Sequence, residues 1–315
     1  MADFKNILVG VDLSRGDWLA SADGDTPSHH ACDEAIALAT AAKAHSDTDT
    51  KVHFLAALDL DERTKRLLSE ASDDEKTVLS RAEEALKLQA QDASRQGVTA
   101  ESSVELGSPR TVLVDRAASA GHDLVLIGSR GHGLLSGMLL GSTSIALLSH
   151  CTVPVWVVKP SSTTTPKKIL VSTDFSPVCN ELFDYGLSLA KLFDAELHVT
   201  HVVEEASRPF LQFSQIAEDS IQQAHEHAMT DARTKLNALS ARAEAAQLSK
   251  PLVVHLADGV PSNVVADQTR VLNIDLLLMG TVAWEGVPGM IVGSTAHKML
   301  AMLECSLFTV RPPKK

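Results

Sequence analysis

The sequence predicts an α/β protein built from two tandem doubly wound domains, each a five-stranded parallel sheet flanked by helices. The first observation behind this is a repeat. Gly128-Ser-Arg-Gly131 followed by Gly141-Ser142-Thr143 returns 152 residues later as Gly280-Thr-Val-Ala283 followed by Gly293-Ser294-Thr295. Gly107, Pro109, Asp123 and Val155 step by the same offset to Gly259, Pro261, Asp275 and Leu307. Unrelated short motifs do not share one offset by chance, so the chain holds two copies of one unit. The second observation is alternation: short apolar runs are separated by helical stretches, as parallel strands require because their crossovers are long and right-handed. At 315 residues each copy has ordinary domain length.

The elements follow in order. Asn6 to Val11 (NILVGV) is an apolar, β-branched run ending at Asp12, repeated by Lys168 to Thr173 (KILVST) ending at Asp174. A polar stretch to about Pro27 precedes a helical face of Ala35, Leu38, Ala39 and Ala42. In the second copy Asp174 leads straight into Phe175-Ser-Pro177, where Ser176 suits a helix cap and Pro177 the first turn. Second strands read Val52 to Leu58 and Leu197 to Val203. Each precedes a long helix, with Leu79, Ala82, Leu86 and Ala90 on one face of the first, and Ile221, Ala224, Ala228 and Ala232 on one face of the second. Third strands, Glu101 to Leu106 and Leu252 to Leu256, run into Gly-x-Pro turns at Gly107 and Gly259. Fourth strands are Leu124 to Ile127 and Leu276 to Met279, and fifth strands Val153 to Val158 and Leu307 to Val310. Pro160-Ser-Ser-Thr-Thr-Thr-Pro166 has linker composition, which sets the domains at 1–159 and 167–315 with a linker over 160–166.

Forty acidic against twenty-eight basic residues leave a net charge of −12, whose field repels nucleic acid and anionic membranes. Neither is an expected partner. The cysteines Cys32, Cys151, Cys179 and Cys305 form no C-x-x-C pair, and no long apolar span appears, so the expected setting is a reduced cytoplasm. Cys151 and Cys305, just before the last strands, read as buried packing thiols. His225 and His227 are the pair most like a metal site, but a helix points them about 200° apart. No metal site is assigned.

In a doubly wound sheet, ligands sit beyond the carboxyl ends of the strands where the strand order reverses, here strands one and four. Asp12 and Gly128 end them. Gly128 and Gly131 lack Cβ atoms and let backbone amides approach an anion, while Gly141, Ser142 and Thr143 open the next helix with free N–H groups at its positive end. Arg130 offers a charge-assisted bond. Asp12 repels phosphate and suits the sugar or base end of a nucleotide. The second copy is the weaker site, since Ala283 replaces a glycine and Trp284 and Glu285 add bulk and negative charge.

The pattern G-x-x-G, nine residues, then G-S/T resembles the nucleotide-binding signature of the universal stress protein family, and the resemblance covers the whole chain as a tandem pair. NILVGVDLS with KILVSTDFS, and VPVWVVKP with SLFTVRPP, are similar to that family's first and last strands. The resemblance implies an adenine nucleotide alpha hydrolase-like fold and a cytoplasmic, stress-responsive protein that binds ATP or AMP; Mg2+ accompanying the nucleotide is compatible with it. It implies that Val11, Asp12, Ala57 and Ile127 surround adenosine, and that Gly128, Gly131, Gly141, Ser142 and Thr143 hold ribose and phosphates. The matching second set is Thr173, Asp174, Val202, Met279, Gly280, Gly293, Ser294 and Thr295. It further implies pairing through the fifth strands. The apolar edge Val153 to Val158 needs cover, which the homologous strand of copy two can supply in an internal pseudo-dimer; a further homo-oligomer stays open, and protein partners are unknown.

A phosphoryl-transfer enzyme should carry a Walker lysine, and no G-x-x-x-x-G-K-S/T is present. His132, beside a glycine in a loop, reads as a solvated polar residue rather than a base. The expected function is therefore nucleotide-dependent regulation. A slow ATPase or phosphate-transfer enzyme is the alternative, and a scaffold that binds nothing is a third.

Overall fold

The computed structural model describes residues 4–13, 27–46, 49–64, 74–129, 141–160, 163–204, 217–280 and 302–311. Contacts divide the chain into two compact units, Asp3–Thr165 with Ser306–Pro313, and Pro166–Cys305.

The first unit holds β1 (Asn6–Val11), α1 (Pro27–Ser46), β2 (Lys51–Leu58), α2 (Asp74–Arg95), β3 (Thr99–Leu106), α3 (Pro109–Ser119), β4 (Leu124–Gly128), α4 (Ser142–His150) and β5 (Val155–Val158). Its parallel strands lie in the order β3-β2-β1-β4-β5. The chain moves outward from β1 to β3, then α3 carries it back across β1 to β4, so the order reverses between β1 and β4. The predicted faces are largely buried: Ala35, Leu38, Ala39 and Ala42 of α1 and Ala82, Leu86 and Ala90 of α2 are buried, while Leu79, near the start of α2, is half-buried.

Two features repeated at the 152-residue step now have causes. Gly107 and Gly259 sit at φ of 142° and 132°, in the left-handed region that only glycine adopts readily. Asp123 accepts the Lys5 and Asn6 amides at 2.6 and 3.1 Å, and Asp275 accepts those of Lys167 and Lys168 at 2.8 and 2.9 Å. Each carboxylate thus satisfies the amides that open the first strand of its repeat.

The fifth strand begins at Val155, not at Val153, because Pro154 has no N–H to give a ladder; its carbonyl instead accepts the Val125 amide at 3.0 Å. Its outer edge is covered as expected. The last strand of the second repeat, β10 (Ser306–Val310), pairs antiparallel with β5, matching Leu307 to Val157, Phe308 to Trp156 and Thr309 to Val155. Phe308 makes edge contacts with Trp156 and Phe4 at centroid distances of 6.0 and 6.2 Å.

The second unit holds β6 (Lys168–Ser172), α5 (Pro177–Phe193), β7 (Glu196–Glu204), α6 (Glu218–Ala245), β8 (Val253–Gly259), α7 (Pro261–Val271) and β9 (Leu276–Gly280). Its parallel order, β9-β6-β7-β8, reproduces the first unit's β4-β1-β2-β3. One helical face departs from expectation. Ile221 and Ala232 of α6 are buried, but Ala224 and Ala228 are exposed. The helix has 28 residues, about 42 Å, whereas β8 with 7 residues spans about 23 Å, so the sheet does not cover it along its whole length, and the turns holding Ala224 and Ala228 are left open although Ile221 before them is buried. Ser176 takes the cap position of α5, yet its side chain makes no capping bond; its N–H donates to Asp174 Oδ1 at 2.9 Å instead.

Candidate functional site

In the first unit the strand ladders gather the predicted residues at one edge. Gly10 pairs with Ile127 and Val11 with Ala56, so the next residues along, Val11 and Gly128 on one side and Asp12 and Ala57 on the other, stand abreast. Val11 and Ile127 are buried, Ala57 and Gly128 half-buried, and Asp12 is exposed. The Asp12 amide donates to Ser28 Oγ at 3.1 Å, in the first turn of α1. Ser28 was not foreseen; its only mark in the sequence is its place after Pro27.

Gly141 caps α4 with extended dihedrals and offers no side-chain acceptor to the first turn, while its carbonyl takes the Ile145 amide at 3.0 Å. Ser142 and Thr143 follow half-buried, with their amides at the helix's positive end. Ser129, directly after Gly128, adds an unforeseen group. It is 2% exposed, its amide donates to Val158 at 2.8 Å, and its buried Oγ has no hydrogen-bond partner among the described residues. Alternation along the strand puts Ser129 on the same face as Ile127, the face covered by α3, because a Cβ on Gly10 would meet both Leu113 and Ile127 there. α4 packs against α3, so the unpartnered hydroxyl lies on the face and at the edge where α4 begins. Arg130 and Gly131 lie outside the described residues, as does His132.

The second unit gathers Thr173, Asp174, Val202, Met279 and Gly280 in the same way. Ser172 pairs with Thr200 and Val171 with Leu278, which brings Thr173 toward Gly280 and Asp174 toward Val202. Its polar groups are already engaged. Asp174 Oδ1 accepts the Ser176 amide and the Cys179 thiol, the latter at 3.0 Å, and the Asp174 amide reaches Cys179 Sγ at 3.4 Å. Burial pushes the Asp174 carboxyl up, but these bonds together outweigh it and hold the group below the usual carboxylate range. Burial, reinforced by Asp174, pushes the Cys179 thiol up, which leaves it a poor nucleophile. Thr173 Oγ1 accepts the Phe175 amide, and its carbonyl accepts His201 Nδ1 at 2.8 Å. The Phe175 ring lies 4.3 Å from that of His201, and Lys235 Nζ sits 5.3 Å over it. Ala283, Trp284, Glu285, Gly293, Ser294 and Thr295 lie outside the described residues.

Among the described residues no cluster of three or more His, Cys, Asp or Glu is placed to hold a metal, and no helix is long and apolar enough to cross a membrane. Cys32, Cys151 and Cys179 are buried free thiols, and Cys305 is buried too.

The fold and the strand edges define a class: a tandem doubly wound α/β protein whose first repeat opens at the switch point onto an uncapped helix. The sequence profile described as the universal stress protein family matches residues 3–159 and again 165–311, and the chain belongs to that family and so to the stress response. Universal stress protein E of Salmonella typhi is 26% identical over 333 aligned positions, covering 99% of this chain and 96% of that one. A universal stress protein of Methanocaldococcus jannaschii is 29% identical over 149 residues, 47% of this chain and 84% of its own length. The crystal structure of a universal stress protein from Archaeoglobus fulgidus superposes with a TM-score of 0.64 at 21% identity, over 97% of this chain and 98% of that one.

Proposed function

We propose that the first repeat binds an adenine nucleotide, ATP or AMP, and that the protein acts in the cytoplasm as a nucleotide-responsive stress regulator. The observation that carries this reading is the pairing of two unmet hydrogen-bonding features at the switch point. Among the described residues the first turn of α4 has no side-chain cap, and the buried Ser129 hydroxyl has no acceptor or donor. A phosphate group supplies acceptors for both, and the helix's positive end favours its charge. Val11, Asp12, Ala57, Ile127 and Gly128 border the same edge and would hold the nucleoside, with Gly141, Ser142 and Thr143 on the phosphates. Arg130 and Gly131 belong to this proposal on sequence grounds. Mg2+ would enter with the phosphates rather than on a protein cluster.

The second repeat, with Thr173, Asp174, Val202, Met279, Gly280, Gly293, Ser294 and Thr295, is proposed as the weaker site or an empty one. Its aspartate is committed to Cys179 and Ser176. The test is the nucleotide released by heating purified protein, separated by chromatography and counted per chain. One equivalent is expected; none would refute nucleotide retention, and two would refute the asymmetry. Gly131→Val should abolish binding in calorimetry without unfolding the chain. Steady-state phosphate release lost in Asp12→Ala would favour the slow ATPase instead.

A further inference from the structure

Away from the switch point, each repeat buries a histidine at the same position of its second strand: His53 on β2 and His198 on β7, 5% and 3% exposed. Each faces a second imidazole. His198 Nδ1 lies 2.9 Å from His255 Nε2 on β8, with ring planes 4° apart and centroids 5.2 Å apart. The centroid separation exceeds the nitrogen gap by about two ring radii, the most that two rings meeting in line allow. The rings therefore meet edge to edge, nearly coplanar, and one proton lies between them. In the first repeat His53 Nδ1 lies 3.4 Å from His122 Nε2, and the centroids are 5.5 Å apart.

The outer partners fix which nitrogen carries each proton. In the first repeat His122 Nδ1 lies 3.2 Å from the Arg116 carbonyl, which can only accept, so His122 carries its proton on Nδ1. Its Nε2 is then an acceptor, His53 must donate from Nδ1, and His53 Nε2 accepts the Ser103 hydroxyl at 2.8 Å. Every ring nitrogen is engaged, with one proton per imidazole. In the second repeat His198 Nε2 lies 2.8 Å from Glu196 Oε1, in ion-pair contact although the N–H does not point straight at the oxygen. A bare lone pair so close to a carboxylate is repulsive, so the proton sits on Nε2. His198 Nδ1 is then the acceptor and His255 donates from Nε2. That leaves His255 Nδ1 bare, half-buried on β8, with no hydrogen-bond partner among the described residues.

We propose that the equivalent histidines are locked in opposite tautomers, and that the chain Glu196–His198–His255 is a proton-binding site which loads at the half-buried outer ring, His255 Nδ1, whereas the chain Ser103–His53–His122 can take a proton without losing its bridge only at the buried inner ring, His53 Nε2, where the Ser103 hydroxyl turns from donor to acceptor, and so loads later. A proton on His255 Nδ1 keeps the bridge to His198 and turns it into a charge-assisted one. A proton on His122 Nε2 would set N–H against N–H and break the bridge to His53. The titratable and charged groups around the second chain are Glu196 on β7, which favours a proton at His198, Lys168 on β6, which opposes one there, and His198 itself, which opposes one at His255. Around the first chain Glu101 on β3 favours a proton, while Arg116 on α3 and Lys51 on β2 oppose one at His53; Asp123 favours one at His122. Burial lowers all four imidazoles.

The experiment is long-range 1H–15N NMR of the imidazoles in the full chain, titrated from pH 8 to 5. Expected are Nδ1–H tautomers for His53 and His122 and Nε2–H tautomers for His198 and His255, with His255 protonating before His53 and His122. In Glu196→Ala, whose substituted side chain is partly exposed, His198 should lose its single tautomer while His53 keeps its own. His255→Ser, which copies the residue at the equivalent place in β3, should remove the first protonation step. Identical tautomers at His53 and His198, or a first chain that protonates with or before His255, would overturn the proposal.

Discussion

Gly10→Ala examines the packing beneath the switch point. A Cβ at residue 10 would stand 2.9 Å from Leu113 Cδ1, 3.4 Å from its Cδ2 and 3.6 Å from Ile127 Cδ1. The last two distances are near ordinary contact; the first is not. Leu113 is 3% exposed on α3, so it has no open side toward which to turn. Overpacking of this kind costs about 1–3 kcal/mol, while replacing a strand glycine returns about 0.5–1 kcal/mol, so a net loss centred near 1 kcal/mol, within about 0–2.5 kcal/mol, is expected. Urea unfolding read through hydrogen exchange of the β1 and β4 amides measures the first unit separately from the second. A double-mutant cycle with Leu113→Val, which removes the offending Cδ atoms, should show coupling: Gly10→Ala should cost at least about 0.5 kcal/mol less in that background. Additive costs, with Gly10→Ala no cheaper in the Leu113→Val background, would refute the assignment of Gly10 to close approach of α3.

The remaining expectations concern strand ends, the exchanged strand and acid. Asp123→Ala should destabilise the first unit by about 1.5–3 kcal/mol, since two strand-opening amides lose a charged acceptor, and Asp275→Ala should do the same to the second; unchanged urea midpoints would contradict this. Phe308→Ala removes a fully buried ring between Trp156 and Phe4 and should cost about 3–5 kcal/mol, seen as lost exchange protection across β10 and β5. Loss of protection elsewhere but not in that strand pair would argue against it. His29, His53, His122, His198, His201 and His255 are all held below 6.5, in each case chiefly by burial. A group depressed in the folded state takes up its proton first in the unfolded chain, so their contribution is whole above 6.5 and falls as pH drops from there toward the folded values. Melting temperatures should therefore hold from pH 8 to 7 and decline toward 5.5; a flat profile would contradict the burial of these rings.

By itself the sequence determined the tandem arrangement, the strand sequence of each repeat and the residues at the strand ends. These are local: Asn6–Val11 is apolar throughout because both faces of a parallel strand are covered, and the 152-residue step duplicates Gly107, Pro109 and Asp123 whatever the tertiary structure. That Val11, Asp12, Ala57 and Ile127 stand together at neighbouring strand ends was legible for the same reason, since strand ends are set by the runs that precede them. Tertiary structure decided what depends on a distant partner. The two aspartates at that step are strand-opening acceptors only because β4 and β9 begin beside β1 and β6. Ala224 and Ala228 match the helical period yet face solvent, because a helix longer than the strands beside it is not covered along its whole length. Nothing in the order of residues sets Ser129 at the edge of the first α4 turn, or His198 in line with His255, because hydrogen bonding between side chains is fixed by register between strands and not by spacing along one.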